Sequence, residues 1–312
     1  MTVTADITPR EIERIWDAHG LGSVRLVDIP RRGGVNSCFI INGELVVRFQ
    51  LRDTERPRFR GEKAACDNLT GTGLPVPKAV ILDESRSIVP YDFLITTRLP
   101  GEPVIDCWPR LTPDERKQTS FEAGLFQAQM HQITLDTFGD MHDHRGGKFG
   151  TWAAYLADYF ERHVQMATDR AILDEATIFR LRRVFSRQRT MFESVRCPSM
   201  LHSDYHWENI LQEDGRVTGI VDFEWALAGD PSFDCRTDEN LEGMCPGSVE
   251  PLYAGYRSVR RLPPDHEART YFYALLLNLE SVAGWHDDPL PEWYQTERRN
   301  LFSRLDLLER CD

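Results

Sequence analysis

The hydrophobic pattern of this chain changes period at Leu99-Pro100-Gly101, and that break limits the folds open to it. Before it lie short β-type runs at residues 24–29, 39–41, 45–49, 80–82 and 93–97. They are separated by Arg31-Arg32-Gly33-Gly34, by a tight Asn42-Gly43 turn and by Leu74-Pro75-Val76-Pro77. Two helices accompany these strands. One follows the capping box Thr8-Pro9-Arg10-Glu11 and carries Ile12, Ile15 and Trp16 on one face; the other covers residues 58–69 and stops at Gly71-Thr72-Gly73. Past the break, helical spacing dominates from a second capping box, Thr112-Pro113-Asp114-Glu115, through 121–133, 152–164, 172–195, 249–259, 266–282 and 293–308. A β-type island at 200–202 and 209–222 interrupts it. The expected architecture is α+β and two-lobed, with a small antiparallel-sheet lobe over residues 1–98 and a larger, mostly helical lobe over 99–312.

The 312 residues, 41% hydrophobic and 28% charged, suffice for one large core or two moderate ones. No apolar run approaches the roughly 20 residues a membrane helix needs, and the first ten residues lack the blocks of a signal peptide, so the expected compartment is the cytosol. Seven scattered cysteines without a Cys-x-x-Cys pair read as reduced thiols. The net charge of −12 argues against a nucleic-acid partner, which would require a basic face. Residues 1–98 hold 14 Lys/Arg against 13 Asp/Glu, so the acidity belongs entirely to the second part. Such a surface keeps a lobe soluble or draws cations to it.

The chemistry concentrates in the island, Leu201-His202-Ser203-Asp204-Tyr205-His206-Trp207-Glu208-Asn209, followed by Val221-Asp222-Phe223-Glu224. Asp214-Gly215 predicts a two-residue hairpin turn, which pairs Glu213 with Arg216 and, counting back, Asn209 with Ile220. That register brings Asn209 and Asp222 to the open end of the hairpin, where both can offer oxygen to one hard cation. Asp204, five residues before Asn209, enters the same end. Phosphoryl transfer calls for this set, with oxygen ligands for a metal on the nucleotide phosphates and a carboxylate for the acceptor's proton. His202 and His206 imitate the spacing of a helical zinc pair, but they lie on a loop. Trp152, Tyr155, Tyr159 and Phe160 have the spacing of a core-facing helix stripe.

The stretch from His202 to Asn209 resembles the His-Gly-Asp-x-x-x-x-Asn loop of the aminoglycoside phosphotransferase family, whose members include macrolide, choline and homoserine kinases of protein-kinase-like fold. Asp222-Phe223-Glu224 is similar to that family's metal motif, and Gly229-Asp230-Pro231-Ser232-Phe233-Asp234 to the segment after it. The resemblance implies Asp204 as catalytic base, Asn209 and Asp222 as Mg²⁺ ligands, and His202 and Asp234 as braces of the loop. More weakly, Gly33-Gly34-Val35-Asn36-Ser37 resembles the nucleotide loop, implying phosphate contacts from Gly34, Asn36 and Ser37. Arg48 stands at the phosphate-binding base, with Glu62 as its ion-pair partner. Thr97 and Leu99 fall where the hinge meets the nucleotide base.

The implied activity is transfer of the γ-phosphate of ATP or GTP to a hydroxyl of a small molecule. An antibiotic is the first expectation for the acceptor, a metabolite such as a choline, homoserine or sugar the second; a nucleotide-binding scaffold without catalysis is the rival. Two residues depart from the pattern: Arg48 replaces the usual Lys, and Ser203 the usual Gly, which tightens the loop if that position takes positive φ. The charge split, with Asp238, Glu239 and Glu242 just past the metal motif, points to a cationic acceptor.

Overall fold

In the computed structural model, the described residues are 7–30, 37–51, 58–285 and 290–310. The expected nucleotide-loop residues Gly34 and Asn36 lie outside them. Helix α1 (Pro9–Ala18) is closed by the reciprocal Thr8–Glu11 capping box and buries Ile12, Ile15 and Trp16 against the sheet that follows. That sheet comprises β1 (Val27–Asp28), β2 (Ser37–Ile41), β3 (Leu45–Phe49), and, after helix α2 (Arg58–Leu69), β4 (Ala79–Asp83) and β5 (Phe93–Thr97). It is antiparallel in the order β1-β2-β3-β5-β4, so β5 inserts between β3 and β4 and stacks Leu94 beside Arg48. The β2–β3 turn uses Asn42 and Gly43 at φ of 55° and 73°, the left-handed pair a tight hairpin requires.

The remainder is mainly helical. β6 (Glu102–Pro103) and α3 (Val104–Cys107) lead to α4 (Pro113–Met130), β7 (Gly139–Asp140), α5 (Trp152–Asp169), α6 (Glu175–Arg187) and α7 (Arg189–Glu193). Then follow β8 (Ser199–Leu201), the hairpin β9 (Ile210–Glu213) and β10 (Arg216–Ile220), β11 (Leu227–Gly229), α8 (Asp238–Met244), α9 (Val249–Val259), α10 (His266–Gly284) and α11 (Glu292–Arg310). The single helix expected over 172–195 is two: the Asp174 cap sets its start at 175, and the Gln188 N–H bonds back to the Phe185 carbonyl, closing α6. Trp152, Tyr155, Tyr159 and Phe160 are buried in the core between α5 and α10. Among the described residues no helix is long and apolar enough to cross a membrane.

Two small sheets carry the island, β10-β9-β6 and β7-β11-β8. Arg216 pairs with Glu213 as the Asp214-Gly215 turn dictates, but a bulge at Thr218 inserts one residue into β10. Ile220 therefore faces Ile210, and the Asn209 carbonyl accepts the Val221 N–H at 2.9 Å, so the expected Asn209–Ile220 pairing is off by one. The extra residue has a tertiary role, since the Thr218 hydroxyl donates to the Pro100 carbonyl at 2.8 Å where the chain leaves the large sheet. Gly101 makes that approach possible: at φ 96°, a Cβ there would stand 2.4 Å from Thr218 Oγ1 and 2.7 Å from the Gln212 carbonyl. Helix α4 supports the hairpin's outer edge, where Glu122 accepts the Val217 N–H at 2.9 Å and pairs with Arg216 at 2.6 Å.

Candidate active site

The loop between β8 and β9 is built on one buried carboxylate. Asp234 accepts the backbone N–H of His202 at 2.9 Å and of Ser203 at 2.6 Å. It also meets His131 Nε2 at 3.0 Å, and the other nitrogen of that ring contacts the Tyr256 hydroxyl at 2.9 Å. Burial alone would raise the Asp234 pKa, but the His131 bond and the neighbouring Arg236 charge help to hold it below the usual range. His202, also buried, donates from Nε2 to the Val221 carbonyl at 2.9 Å and accepts the Asp204 N–H on Nδ1 at 3.3 Å. It thereby ties the loop to the strand that ends at Asp222, and burial depresses its pKa.

Ser203 adopts φ 67°, so the position does demand the left-handed conformation that glycine takes freely. The strain costs about 1–2 kcal/mol. Arg236 offsets it by donating from Nη2 to the Ser203 carbonyl at 2.8 Å and to its hydroxyl at 3.1 Å, while its guanidinium lies 4.0 Å over the Phe233 ring. Sequence reading missed Arg236, His131 and Glu122, because each acts through a contact with a residue remote in the chain.

Asp204, Asn209 and Asp222 gather at the open end of the β9–β10 hairpin. Asn209 donates from Nδ2 to the Asp204 carbonyl and to its Oδ2, both at 3.0 Å. His206 Nε2 lies 3.2 Å from the same carboxylate oxygen. Burial pushes the Asp204 pKa up, but the His206 hydrogen bond and the Arg236 charge help to leave it lowered. Asp222 stands at φ 69° and ψ 62°, a left-handed conformation that a non-glycine residue holds only where its surroundings enforce it.

From the large sheet, Arg48 on β3 donates to both Asp222 and the buried Glu62 of α2. Gly61 lets this helix come close, because a Cβ there would stand 2.5 Å from the Met141 carbonyl. Arg58, at the start of the same helix, lies 3.4 Å over the Trp225 ring, just past Asp222. Ser37 opens β2 opposite Phe49 and is buried. The Thr97 N–H donates to the Lys78 carbonyl at 3.0 Å, while the Leu99 N–H, past the end of β5, makes no hydrogen bond with the described residues.

The three expected acceptor carboxylates are each engaged within the protein. Asp238 accepts the Tyr253 hydroxyl, and burial pushes its pKa up to about 7. Glu239 pairs with Arg304 at 2.6 Å, and Glu242 accepts the N–H groups of Gly247 and Val249 at 2.6 and 3.2 Å.

The site's donor set suits Mg²⁺. With Nδ2 of Asn209 turned to Asp204, its amide oxygen is left for a cation, and Asp222 adds a carboxylate. Burial first, and the Asp222 charge second, push the Glu224 pKa up to about 7. Among the described residues no group of three or more His, Cys, Asp or Glu forms a protein cage. Mg²⁺ commonly takes one or two protein oxygens and completes its shell with phosphate and water.

A mouse protein, acyl-CoA dehydrogenase family member 10, is 23% identical over 308 residues, which are 92% of this chain and 27% of the mouse protein, so the chain spans about a quarter of that relative's length. ADP-bound aminoglycoside phosphotransferase APH(2'')-Ib superposes with a TM-score of 0.69 at 14% identity, over 96% of this chain and 97% of its own. A putative fructosamine-3-kinase from Thermobifida fusca gives 0.69 at 18% identity, over 96% and 98%. These likenesses establish the bilobal, protein-kinase-like fold. Residues 30–235, two thirds of the chain, match the phosphotransferase enzyme family, and the chain belongs to that family.

Proposed function

We propose that the chain transfers the γ-phosphate of ATP or GTP to a hydroxyl group of a small molecule, in the cytosol, with Asp204 as the base. The observation that supports this best is the convergence of Asp204, Asn209 and Asp222 at one hairpin end, with Arg48 reaching Asp222 from the opposite sheet. The acceptor hydroxyl passes its proton to the Asp204 carboxylate as its oxygen bonds to the γ-phosphorus. The bond from that phosphorus to the β,γ-bridging oxygen breaks, and the nucleoside diphosphate leaves. Asn209 and Asp222 would hold Mg²⁺, whose chemistry when bound would be charge neutralisation on the phosphate oxygens. Arg48, kept in place by Glu62, adds a second positive charge there. His202 and Asp234 keep the loop in its bent form.

In this reading residues 1–98 form the nucleotide lobe and 99–312 the catalytic and acceptor lobe. Gly34, Asn36 and Ser37 cover the phosphates. The nucleotide base meets the Leu99 N–H and, since the N–H of Thr97 is spent on Lys78, the Thr97 carbonyl. For the acceptor an antibiotic comes first, because solved structures of this fold include complexes with gentamicin and with streptomycin and ATP. A sugar-like metabolite is second, on the fructosamine-3-kinase likeness. A cationic acceptor would compete with the internal partners of Asp238, Glu239 and Glu242; the Glu239 side chain is 70% exposed despite its pairing with Arg304. Membership of an enzyme family favours catalysis over a scaffold.

The test is incubation with Mg²⁺ and ATP or GTP against a mixed panel of hydroxylated antibiotics and metabolites, with mass spectrometry for a product heavier by one phosphoryl group. Asp204→Ala should lower turnover by roughly 10²–10⁴ with nucleotide affinity unchanged. Near-normal kcat in that variant would overturn the assignment of the base.

A further inference from the structure

The two oxygens of the Asp204 carboxylate have unequal surroundings. Oδ2 takes Asn209 Nδ2 at 3.0 Å and faces His206 Nε2 at 3.2 Å, whereas Oδ1 has no protein partner among the described residues. The other nitrogen of His206 decides the tautomer. Its Nδ1 accepts the Glu208 N–H at 3.2 Å and so carries no hydrogen, which places the ring hydrogen on Nε2. Nε2 is also 3.4 Å from Asn209 Nδ2, but both atoms are then donors and converge on Oδ2 instead of bonding to each other. Within the turn from Asp204 to Asn209, the side chains of His206 and Asn209 therefore converge on one oxygen of Asp204.

We propose that His206 is a positioning residue for phosphoryl transfer: its Nε2–H pins Oδ2 of Asp204, so that Oδ1 is the atom presented to the acceptor hydroxyl. This rests on the reading of Asp204 as the base. A carboxylate held by a single donor swings about its Cβ–Cγ bond, and a second donor from another direction fixes its plane. Proton transfer requires that plane, because the receiving oxygen must lie within hydrogen-bond reach of the attacking hydroxyl. Asn209 serves two masters here, its nitrogen on Asp204 and its oxygen on the cation, while Nε2 of His206 serves only the carboxylate.

His206 also stabilises the turn through the Glu208 N–H, and three substitutions separate the two roles. His206→Asn keeps an acceptor where Nδ1 stands, in an Asx-turn, but falls short of Asp204; His206→Gln places an amide N–H where Nε2 stands; His206→Leu removes both. Turnover is followed as phosphate released from ATP and Mg²⁺ with water as acceptor, alongside the nucleotide KM and a thermal melt. If His206 positions the base, the Asn and Leu variants lose roughly 10- to 100-fold in kcat, at or below the lower end of the roughly 10²–10⁴ a base supplies, with KM nearly unchanged, and the Gln variant recovers most of the loss. A His206→Asn variant with wild-type kcat, or a Gln variant as slow as Leu, would overturn the proposal.

A second measurement does not depend on turnover. In ¹⁵N-labelled protein, the His206 ring signals, identified by their loss in His206→Gln, should show the Nε2–H tautomer, and the Nε2 signal should move in Asp204→Asn. An Nδ1–H tautomer, or a signal indifferent to Asp204→Asn, rejects the contact. Failure of the base assignment would look different: Asp204→Ala would keep its turnover while the ring signals still reported the contact.

Discussion

Arg48 donates to Asp222 across the space between the large sheet and the β9–β10 hairpin, joining residues 174 positions apart. Its second NH₂ group is held by Glu62, so the guanidinium is braced from one side and presented on the other. A lysine has one point charge and cannot span both carboxylates in the same way. Arg48→Lys should therefore raise the nucleotide KM or lower kcat by about tenfold, the scale of one to two kcal/mol for a charged hydrogen bond. Kinetics equal to wild type would show that the fork geometry is unused.

Asn209→Ala and Asp222→Ala should share a phenotype, a half-saturating Mg²⁺ concentration raised by about tenfold or more, because each removes one oxygen donor from the same cation. The check is a Mg²⁺ titration of turnover at fixed nucleotide concentration. Curves that superpose on wild type in both variants would rule out the hairpin end as the metal site.

Gly61→Ala tests how α2 is seated. The new Cβ would meet a backbone carbonyl, that of Met141, at 2.5 Å, and a backbone atom yields little. The helix must shift and carry Glu62 with it. A loss of about 1–3 kcal/mol in urea unfolding is expected, together with a higher nucleotide KM. Gly243→Ala in α8 is the control: its Cβ has open space, so it should be neutral or stabilising by up to about 1 kcal/mol.

Acid should destabilise the fold partly through His202. Burial lowers its pKa from the ordinary 6.5, against the opposing pull of Asp204 and Asp234. A depressed folded-state pKa means that the contribution is complete above 6.5 and is lost as the pH falls toward the folded value. Urea melts at pH 8, 6 and 5 should show stability falling with pH in the wild type and falling less in His202→Gln, which does not titrate. Parallel slopes in the two proteins would exclude His202 as a source of the effect.

Much of the fold was legible in short stretches of sequence. The Thr8 and Thr112 capping boxes formed as written, and Asp214-Gly215 turned at φ of 50° and 75°, because a cap or a tight turn is decided by three or four neighbouring residues. The meeting of Asp204, Asn209 and Asp222 followed from the same turn plus a count of residues. Where the count met a long-range contact it slipped: Thr218 bonds to Pro100, and the bulge that serves this bond moves the Asn209 pairing by one.

Tertiary structure alone decided the partners. Nothing near Asp238, Glu239 or Glu242 in sequence indicates that Tyr253, Arg304 and the start of α9 occupy them, so local charge overstated how free they are. Ser203 departs from the family's glycine, yet its left-handed backbone is held by Arg236, 33 residues on. His206 looked like half of a metal pair and instead faces the carboxylate two residues before it, since the loop's bend, set by buried Asp234, determines where its ring points. Side-chain chemistry and turn geometry are properties of the local chain; which oxygen a donor reaches is fixed only when distant elements pack around it.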